Sequence, residues 1–414
     1  MATIWFASAP LVSHTDWGGF LKTALALQHA GHDVIWISTD KLKRYVTQAG
    51  IKFEPVPDTG FLWPPPPPPD LTKIDPREAV NLRYTRALDT WLSEDIVTQA
   101  TAALIDLADR IGKPDLIAID PFLSAAALAA EALDVPIVSC GWPAQGDLNA
   151  MGLFPVQRTL GTESQQRIHR LCEKFDLQGV NFSKGPTPSI ISPHLHICYF
   201  TQNWYIAEIN TLLPQNVFVG GYTKPVSSEP PGWLLDIPED AGIGMVTLGS
   251  SFTGDLGFYS WAAHAVARAG LIPVVAIGWN PIKPEKKREL INALPPTTRL
   301  LNWVPFNHVL PRSKIMIHHG GMGTTHYAVV HGLPQIVVPH AADQRVQAKR
   351  VAQAKVGLNL SAHDVQKGLL LDGTRALLQD EKVQQTAQSL ARQMAALGGP
   401  DVAAQHIERV IQMV

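Results

Sequence analysis

The residues whose types and order come nearest to a site for chemistry are His318-His319-Gly320-Gly321-Met322-Gly323. They follow an apolar run, Ile315 to Ile317, with the length and β-branching of a buried parallel strand. They precede a helical segment from Thr324 to His331, stopped by Gly332 with Pro334 beyond it. A helix that starts on glycines presents bare N–H groups and a positive dipole end, and the anion most often held there is phosphate. An ordinary tight strand-to-helix turn uses the same glycines. What separates the two is the company: a histidine just before the turn, and Asp343-Gln344 after the next apolar run, Gln335 to Pro339.

A second set lies in the first half. His14 and Asp16 sit in the loop Ser8 to Trp17 that follows the apolar run Thr3 to Ala7. Asp120 closes another apolar run, Asp115 to Ile119. A loop histidine is often merely solvated, and an aspartate before a helix can serve only to complement its dipole. Position argues for more, because ligands of open parallel sheets bind outside the carboxyl ends of the strands.

The elements that must position these residues alternate regularly. Thr3 to Ala7, a helical stripe between Gly18 and Ala30, and Val34 to Ile37 make a βαβ unit with a right-handed crossover. A long helical stretch from about Pro76 to Ile111, with a break allowed, leads to Asp115–Asp120, a helix from Ser124 to Leu133 and a strand from Pro136 to Cys140. Gly141 to Pro188, with Trp142 and Gln145, reads as irregular and as the wall of a pocket for an acceptor. Pro64 to Pro69 form an unbroken run, a stiff extended rod that cannot join a sheet. Around 223–241 the composition shifts to a Ser-Glu-Pro-Pro-Gly linker. The rhythm then restarts with strands at Gly244–Leu248, Pro273–Ile277 and Arg299–Asn302 and a helix from Gly257 to Ala269. This predicts an α/β chain of two Rossmann-like domains, 1–222 and 242–395, with a cleft between them where two substrates could meet.

Composition limits the partners. With 46% hydrophobic and 17% charged residues and a net charge of -2, the chain has core to spare and no excess of basic charge, which argues against nucleic acid. The cysteines, Cys140, Cys172 and Cys198, are odd in number and lack metal spacing, which predicts a reducing, cytoplasmic location. No run is apolar for long enough to suggest a membrane segment, and the N-terminus reads as a strand, not a signal peptide. Oligomeric state is left open.

Trp303-Val304-Pro305, the glycine turn and Asp343-Gln344 together resemble the donor-site signature of nucleotide-sugar-dependent glycosyltransferases of the GT-B fold, in the UDP-glycosyltransferase-like superfamily. The bacterial enzymes that glycosylate macrolides, glycopeptides, sterols and carotenoids are the nearest in pattern. The resemblance is specific over the C-terminal half and weaker before it, where it rests on the His14 loop, Gly31-His32 and Asp120-Pro121. It implies that Trp303 stacks on the nucleobase and that the Val304 backbone meets the base edge. It assigns Ser250 and His319 to the diphosphate, with the N–H groups of Gly321, Gly323, Thr324 and Thr325, and Asp343 and Gln344 to the sugar hydroxyls. It makes His14 the general base on an acceptor hydroxyl with Asp120 as its partner, a chemistry suited to an imidazole whose ordinary pKa is about 6.5. It implies direct displacement with inversion and no metal or other cofactor, the co-substrate being a UDP- or dTDP-sugar and the acceptor an apolar small molecule. It also implies that the last helix, within 396–414, crosses back to the first domain; its periodicity alone gives only an amphipathic helix.

The chain departs from the pattern at four places. His14 precedes Gly31 by seventeen residues, about two more than is usual, so an ungapped count lands on Asp16; His14 is preferred as base. Phe306 stands where many relatives have glutamine, and Tyr327 where many users of UDP-sugars have a glutamate for the ribose hydroxyls. Losing that carboxylate leaves room for a deoxyribose nucleotide. The proline run belongs to no recognised motif. Two other readings of the same scaffold are an auxiliary or regulatory protein that binds a partner enzyme, and a nucleotide-sugar epimerase or hydrolase.

Overall fold

The computed structural model describes residues 1–15, 18–67, 69–70, 74–146, 155–223, 228–249, 255–278, 282–340 and 342–413. They form two compact units, one of Met1–Tyr199, Ile206–Val219 and Pro400–Val414, the other of Phe200–Tyr205 and Gly220–Gly399.

The strands of the first unit are β1 (Thr3–Ala7), β2 (Asp33–Ser38), β3 (Lys52–Pro55), β4 (Leu116–Ile119), β5 (Ile137–Cys140), β6 (Leu195–Cys198) and β7 (Asn216–Phe218). Those of the second are β8 (Ile243–Thr247), β9 (Ile272–Ala276), β10 (Arg299–Leu301), β11 (Ser313–His318), β12 (Gln335–Val337) and β13 (Gly357–Asn359). The sheets run β3-β2-β1-β4-β5-β6-β7 and β10-β9-β8-β11-β12-β13, with every pairing parallel. Each order reverses direction once, between β1 and β4 and between β8 and β11. Those two switch points are where a doubly wound sheet opens a crevice at its carboxyl edge. The interiors of their strands are apolar and buried, Ile4 to Ala7, Leu116 to Ile119, Met245-Val246 and Ile315 to Ile317, as in a parallel sheet covered on both faces.

The helices that matter for the sites are α1 (Val12–Thr15), α2 (Phe20–His29), α3 (Pro76–Leu92), α4 (Glu94–Ile111), α5 (Ser124–Ala132), α6 (Pro155–Lys174), α7 (Leu256–Arg268), α8 (Met322–Val330), α9 (Ala342–Gln353), α10 (Glu381–Ala396) and α11 (Gly399–Met413). The long helical stretch breaks at Ser93, which takes an extended conformation between α3 and α4. Gly141 to Pro188 is not irregular throughout, since α6 supplies twenty helical residues. Its outward face is polar, so the apolar signal is thin. What holds it is tertiary: Arg167 bonds Asp89 at 2.8 Å and Arg170 bonds Glu94 at 2.7 Å.

Phe200–Tyr205 joins the second unit through aromatic packing. Phe200 stacks on Trp204 at 4.9 Å and meets His326 edge-on, Trp204 Nε1 donates to Gln347 Oε1, and the Arg350 guanidinium lies 4.4 Å over the Tyr205 ring. At the other end of the chain, Pro400–Val414 groups with the first unit, where His32 Nε2 and Glu408 Oε1 are 3.1 Å apart. The three cysteines are buried and none is in a disulfide, and burial pushes the Cys172 thiol up to about 11 and Cys140 further still. No helix among the described residues is long and apolar enough to cross a membrane.

Candidate active site

In the first unit the candidate catalytic residues lie at the switch point of the sheet. Ala7 pairs with Ile119, so the residues that follow β1 and β4 emerge side by side. Asp120, fully buried, spreads its carboxylate over three donors: Ala9 N at 3.0 Å, Phe122 N at 2.8 Å and His14 Nδ1 at 2.7 Å. The backbone bonds fix the carboxylate first, and the short helix α1 then brings the imidazole onto it. Because a carboxylate only accepts, Nδ1 carries the proton in this pair, which turns Nε2 into the nitrogen able to take another. Phe61 and Phe122 pack on the ring, with centroids 5.2 and 6.1 Å away. Asp16 lies outside the described residues.

Phe122 also lines a cavity of about 340 Å³. Tyr84, Ala87, Leu88 and Trp91 of α3 form one wall, and Leu160, Gly161 and Ser164 of α6 with the loop Pro186–Ser189 form the other. Gly161 permits that closure: a Cβ there would collide with the Pro186 carbonyl. None of the lining residues is charged. Trp142 meets Phe122 edge-on at 6.3 Å and, like Gln145, whose backbone bridges to Leu212, does not line this cavity. The lining set escaped the sequence reading, although Tyr84, Ala87, Leu88 and Trp91 follow the i, i+3, i+4, i+7 stripe of one helix face. Such a stripe looks the same whether it faces a core or a cavity.

In the second unit the glycine turn lies at the corresponding switch point. His318 pairs with Thr247 across β11 and β8, and with Val337 across β12, which brings the turns after all three strands to one edge. His318 is buried and sets the turn: Gly320 N donates to its Nδ1 at 3.0 Å, and Nε2 donates to Gln335 Oε1 at 2.9 Å. The His319 ring is wedged against two glycines, for a Cβ on Gly249 would lie 2.8 Å from it and one on Gly321 2.5 Å. Gly249 is also at φ +73°, a region closed to most side chains.

α8 starts from Gly321 with no side-chain cap. Thr325 N already donates to Gly321 O at 2.9 Å, and so does its hydroxyl. Thr325 therefore leaves the predicted anion-binding set. The N–H groups that precede the first intrahelical bond are those of Gly321, Met322, Gly323 and Thr324.

Trp303 is 62% exposed, while Val304 next to it is buried in the core under the β8–β11 edge. Tyr327 packs edge-on against Phe306, their ring centroids 5.2 Å apart, so two of the four departures from the family pattern touch each other. Gln344 is buried, with Oε1 accepting from His340 N at 2.8 Å. Asp343 lies in the first turn of α9, its side chain outside the description, and Ser250 lies outside the described residues. His340 is a residue the sequence reading missed. Its Nδ1 faces Val338 O at 2.8 Å and its Nε2 faces Asp255 Oδ2 at 3.3 Å, the carboxylate that also caps α7. Among the described residues no group of three or more His, Cys, Asp or Glu is placed to hold a metal ion.

Burial pushes His318 and His319 of the glycine turn, and His196 in β6 of the first unit, well below the ordinary histidine value. His196 and His318 fall to about 4 by desolvation. His319 falls to about 3, by desolvation first and then the nearby His318 and His340. All three are neutral near pH 7, so His319 can offer a hydrogen bond but not a charge. In the unfolded chain these rings protonate below about pH 6.5, and in the fold only near 4 or 3, so the folded state binds fewer protons in that window. Stability is therefore full above about pH 6.5 and falls as the pH drops toward 4, by on the order of 1–2 kcal/mol per ring at pH 5. Thermal melts between pH 7.5 and 5 should show a steadily falling midpoint; a flat midpoint would mean the rings protonate inside the fold.

Comparison with known proteins extends what the geometry shows. Residues 281–410 match the family described as the Erythromycin biosynthesis protein CIII-like, C-terminal domain. The NDP-glycosyltransferase YjiC of Bacillus subtilis is 26% identical over 300 residues, 72% of each chain. Tylactone mycaminosyltransferase of Streptomyces fradiae is 24% identical over 418 residues, covering 97% of this chain and 91% of the relative. The solved structure of the spinosyn rhamnosyltransferase SpnG complexed with thymidine diphosphate superposes with a TM-score of 0.71 at 20% identity, over 99% of this chain and 100% of that one.

Proposed function

We propose that the chain is a GT-B nucleotide-sugar glycosyltransferase of the natural-product type, as the C-terminal family match and the full-length relatives support, and that it moves a sugar, with inversion, from a UDP- or dTDP-sugar to a hydroxyl of an uncharged apolar acceptor. The observation that carries the reading is the His14–Asp120 pair at 2.7 Å beside a cavity with no charged lining. A base without an apolar pocket, or a pocket without a base, would argue for less.

In the proposed step, His14 Nε2 takes the proton of the acceptor hydroxyl as its oxygen attacks the anomeric carbon from the face opposite the diphosphate. The bond from that carbon to the diphosphate breaks and its electron pair leaves with the phosphate oxygen. Asp120 holds the tautomer and offsets the charge that the imidazole gains. The growing charge on the leaving group is assigned to the N–H groups of Gly321, Met322, Gly323 and Thr324 at the positive end of α8, with a neutral N–H from His319. Ser250 is assigned to the same phosphates, Trp303 to the base face, Val304 to the base edge, and Asp343 and Gln344 to the sugar. The proposal includes no metal, since oriented donors supply the stabilisation. Between the two donors, the Phe306–Tyr327 pair supports dTDP, because it sets two aromatic rings where a carboxylate would bind a ribose diol.

The test is transfer from α-linked dTDP-glucose and UDP-glucose to a set of aromatic and polyketide alcohols, with the product anomer read by NMR coupling constants. A β-linked product is expected. An α-linked product would remove direct displacement, and calorimetry in which neither dTDP nor UDP binds would remove the donor assignment.

A further inference from the structure

The proline run takes no part in the proposed transfer, yet it has a fixed place in the first unit. We infer that it is a strut that sets one wall of the acceptor cavity, with Arg86 as the positioning residue; the inference rests on the acceptor reading above. Phe61 is buried against the His14 ring, and Leu62 N donates to Thr90 O at 2.9 Å near the C-terminal end of α3. The chain then runs through exposed Pro64–Pro67, where Arg86 donates through Nη1 to Pro67 O at 3.2 Å and through Nη2 to Pro66 O.

The chemistry of the contact follows from the prolines. A polyproline II strand makes no internal hydrogen bonds, so its carbonyls are available, and its rings hold φ so that successive carbonyls keep a fixed relation. The guanidinium is a planar fork suited to two such acceptors at once. Arg86 and Thr90 are one helical turn apart on α3, so the Leu62–Thr90 bond and the Arg86 bonds hold two successive parts of the proline segment to neighbouring turns of the same helix.

The position of Arg86 on α3 gives the contact its consequence. At about 100° per residue, Tyr84, Ala87, Leu88 and Trp91 cluster on one face and Arg86 and Thr90 lie on the opposite one. The cavity is therefore on one side of α3 and the rod on the other. Toward its C-terminal end α3 is held by Arg167, which bonds Asp89 and Leu92 O, and by Ser124 Oγ donating to Trp91 O. Nearer the Tyr84 end Arg86 adds its own tether. One segment thus packs the base with Phe61 and fixes the aromatic wall with its prolines, setting the distance between the two.

The experiment measures binding of 4-methylumbelliferone, a neutral aromatic alcohol small enough for the cavity, by calorimetry, alongside melting midpoints and transfer kinetics from dTDP-glucose. In Arg86→Ala, loss of preorganisation should raise Kd and KM for this acceptor by about tenfold with kcat within about twofold. Arg86→Lys should recover part of that loss through one of the two bonds. The second variant, Pro66→Gly with Pro67→Gly, keeps both carbonyls at an exposed site and removes only their stiffness; it should weaken binding by about threefold or more. Unchanged Kd in either variant, or a loss confined to kcat, overturns the strut. Failure of the original protein to bind 4-methylumbelliferone overturns the acceptor reading of the cavity and the strut with it.

Discussion

Replacing His14 by alanine should lower transfer at saturating substrates by about 10²- to 10⁴-fold, the usual worth of a placed general base. The ring has no other visible task that would justify its hold. It is bound to Asp120 at 2.7 Å and flanked by Phe61 and Phe122, and the α1 turn that carries it is four residues long. Donor affinity should stay within about twofold, because no donor group is assigned to this unit. Asp120→Asn should cost both rate and stability. Both carboxylate oxygens accept from N–H donors, so an amide NH₂ would have to face one of them, at about 1–3 kcal/mol for the unpaired group. Full activity in His14→Ala together with its loss in Asp16→Ala would transfer the base role to Asp16.

The second large effect lies at the Phe306–Tyr327 pair. Phe306→Gln with Tyr327→Glu should move the kcat/KM ratio for UDP-glucose over dTDP-glucose by about 10- to 10³-fold toward UDP, since a site built to bind a hydroxyl rejects the analogue that lacks it. The two changes belong together: Tyr327→Glu alone would set a carboxylate edge against the Phe306 ring, 5.2 Å away, with nothing to pair it. The original protein should favour dTDP-glucose. A strong preference for UDP-glucose before mutation, or a ratio that does not move in the double variant, would show that this corner does not read the sugar of the nucleotide.

The two halves of the site were legible to different degrees. The donor half is written in one local stretch, where strand, glycine turn, helix and strand follow one another and each glycine has a visible duty. Even so, its detail needed coordinates. The resemblance placed the Thr325 N–H with those facing the phosphate, and only the helix geometry shows that N–H spent on Gly321 O. Nothing local marks His340, whose partner, the Asp255 carboxylate, lies 85 residues away in sequence. α6 was passed over because its polar surface gives little periodicity, while the groups that hold it, Asp89 and Glu94, belong to other helices.

The sequence by itself determined the class of fold and located the stretch proposed as the donor site, because apolar runs, turn glycines and helix stops act within a few residues of one another. Tertiary structure alone decided which distant residues act together. His14 and Asp120 are 106 positions apart and meet because β1 lies beside β4 in the sheet, an order that no local pattern encodes. Phe306 and Tyr327 each read as an isolated departure, and the fold makes them one apolar corner. The proline run could be recognised as a rod from composition, but what it braces depends on where α3 lies, and that is fixed by packing and hydrogen bonds made across the chain.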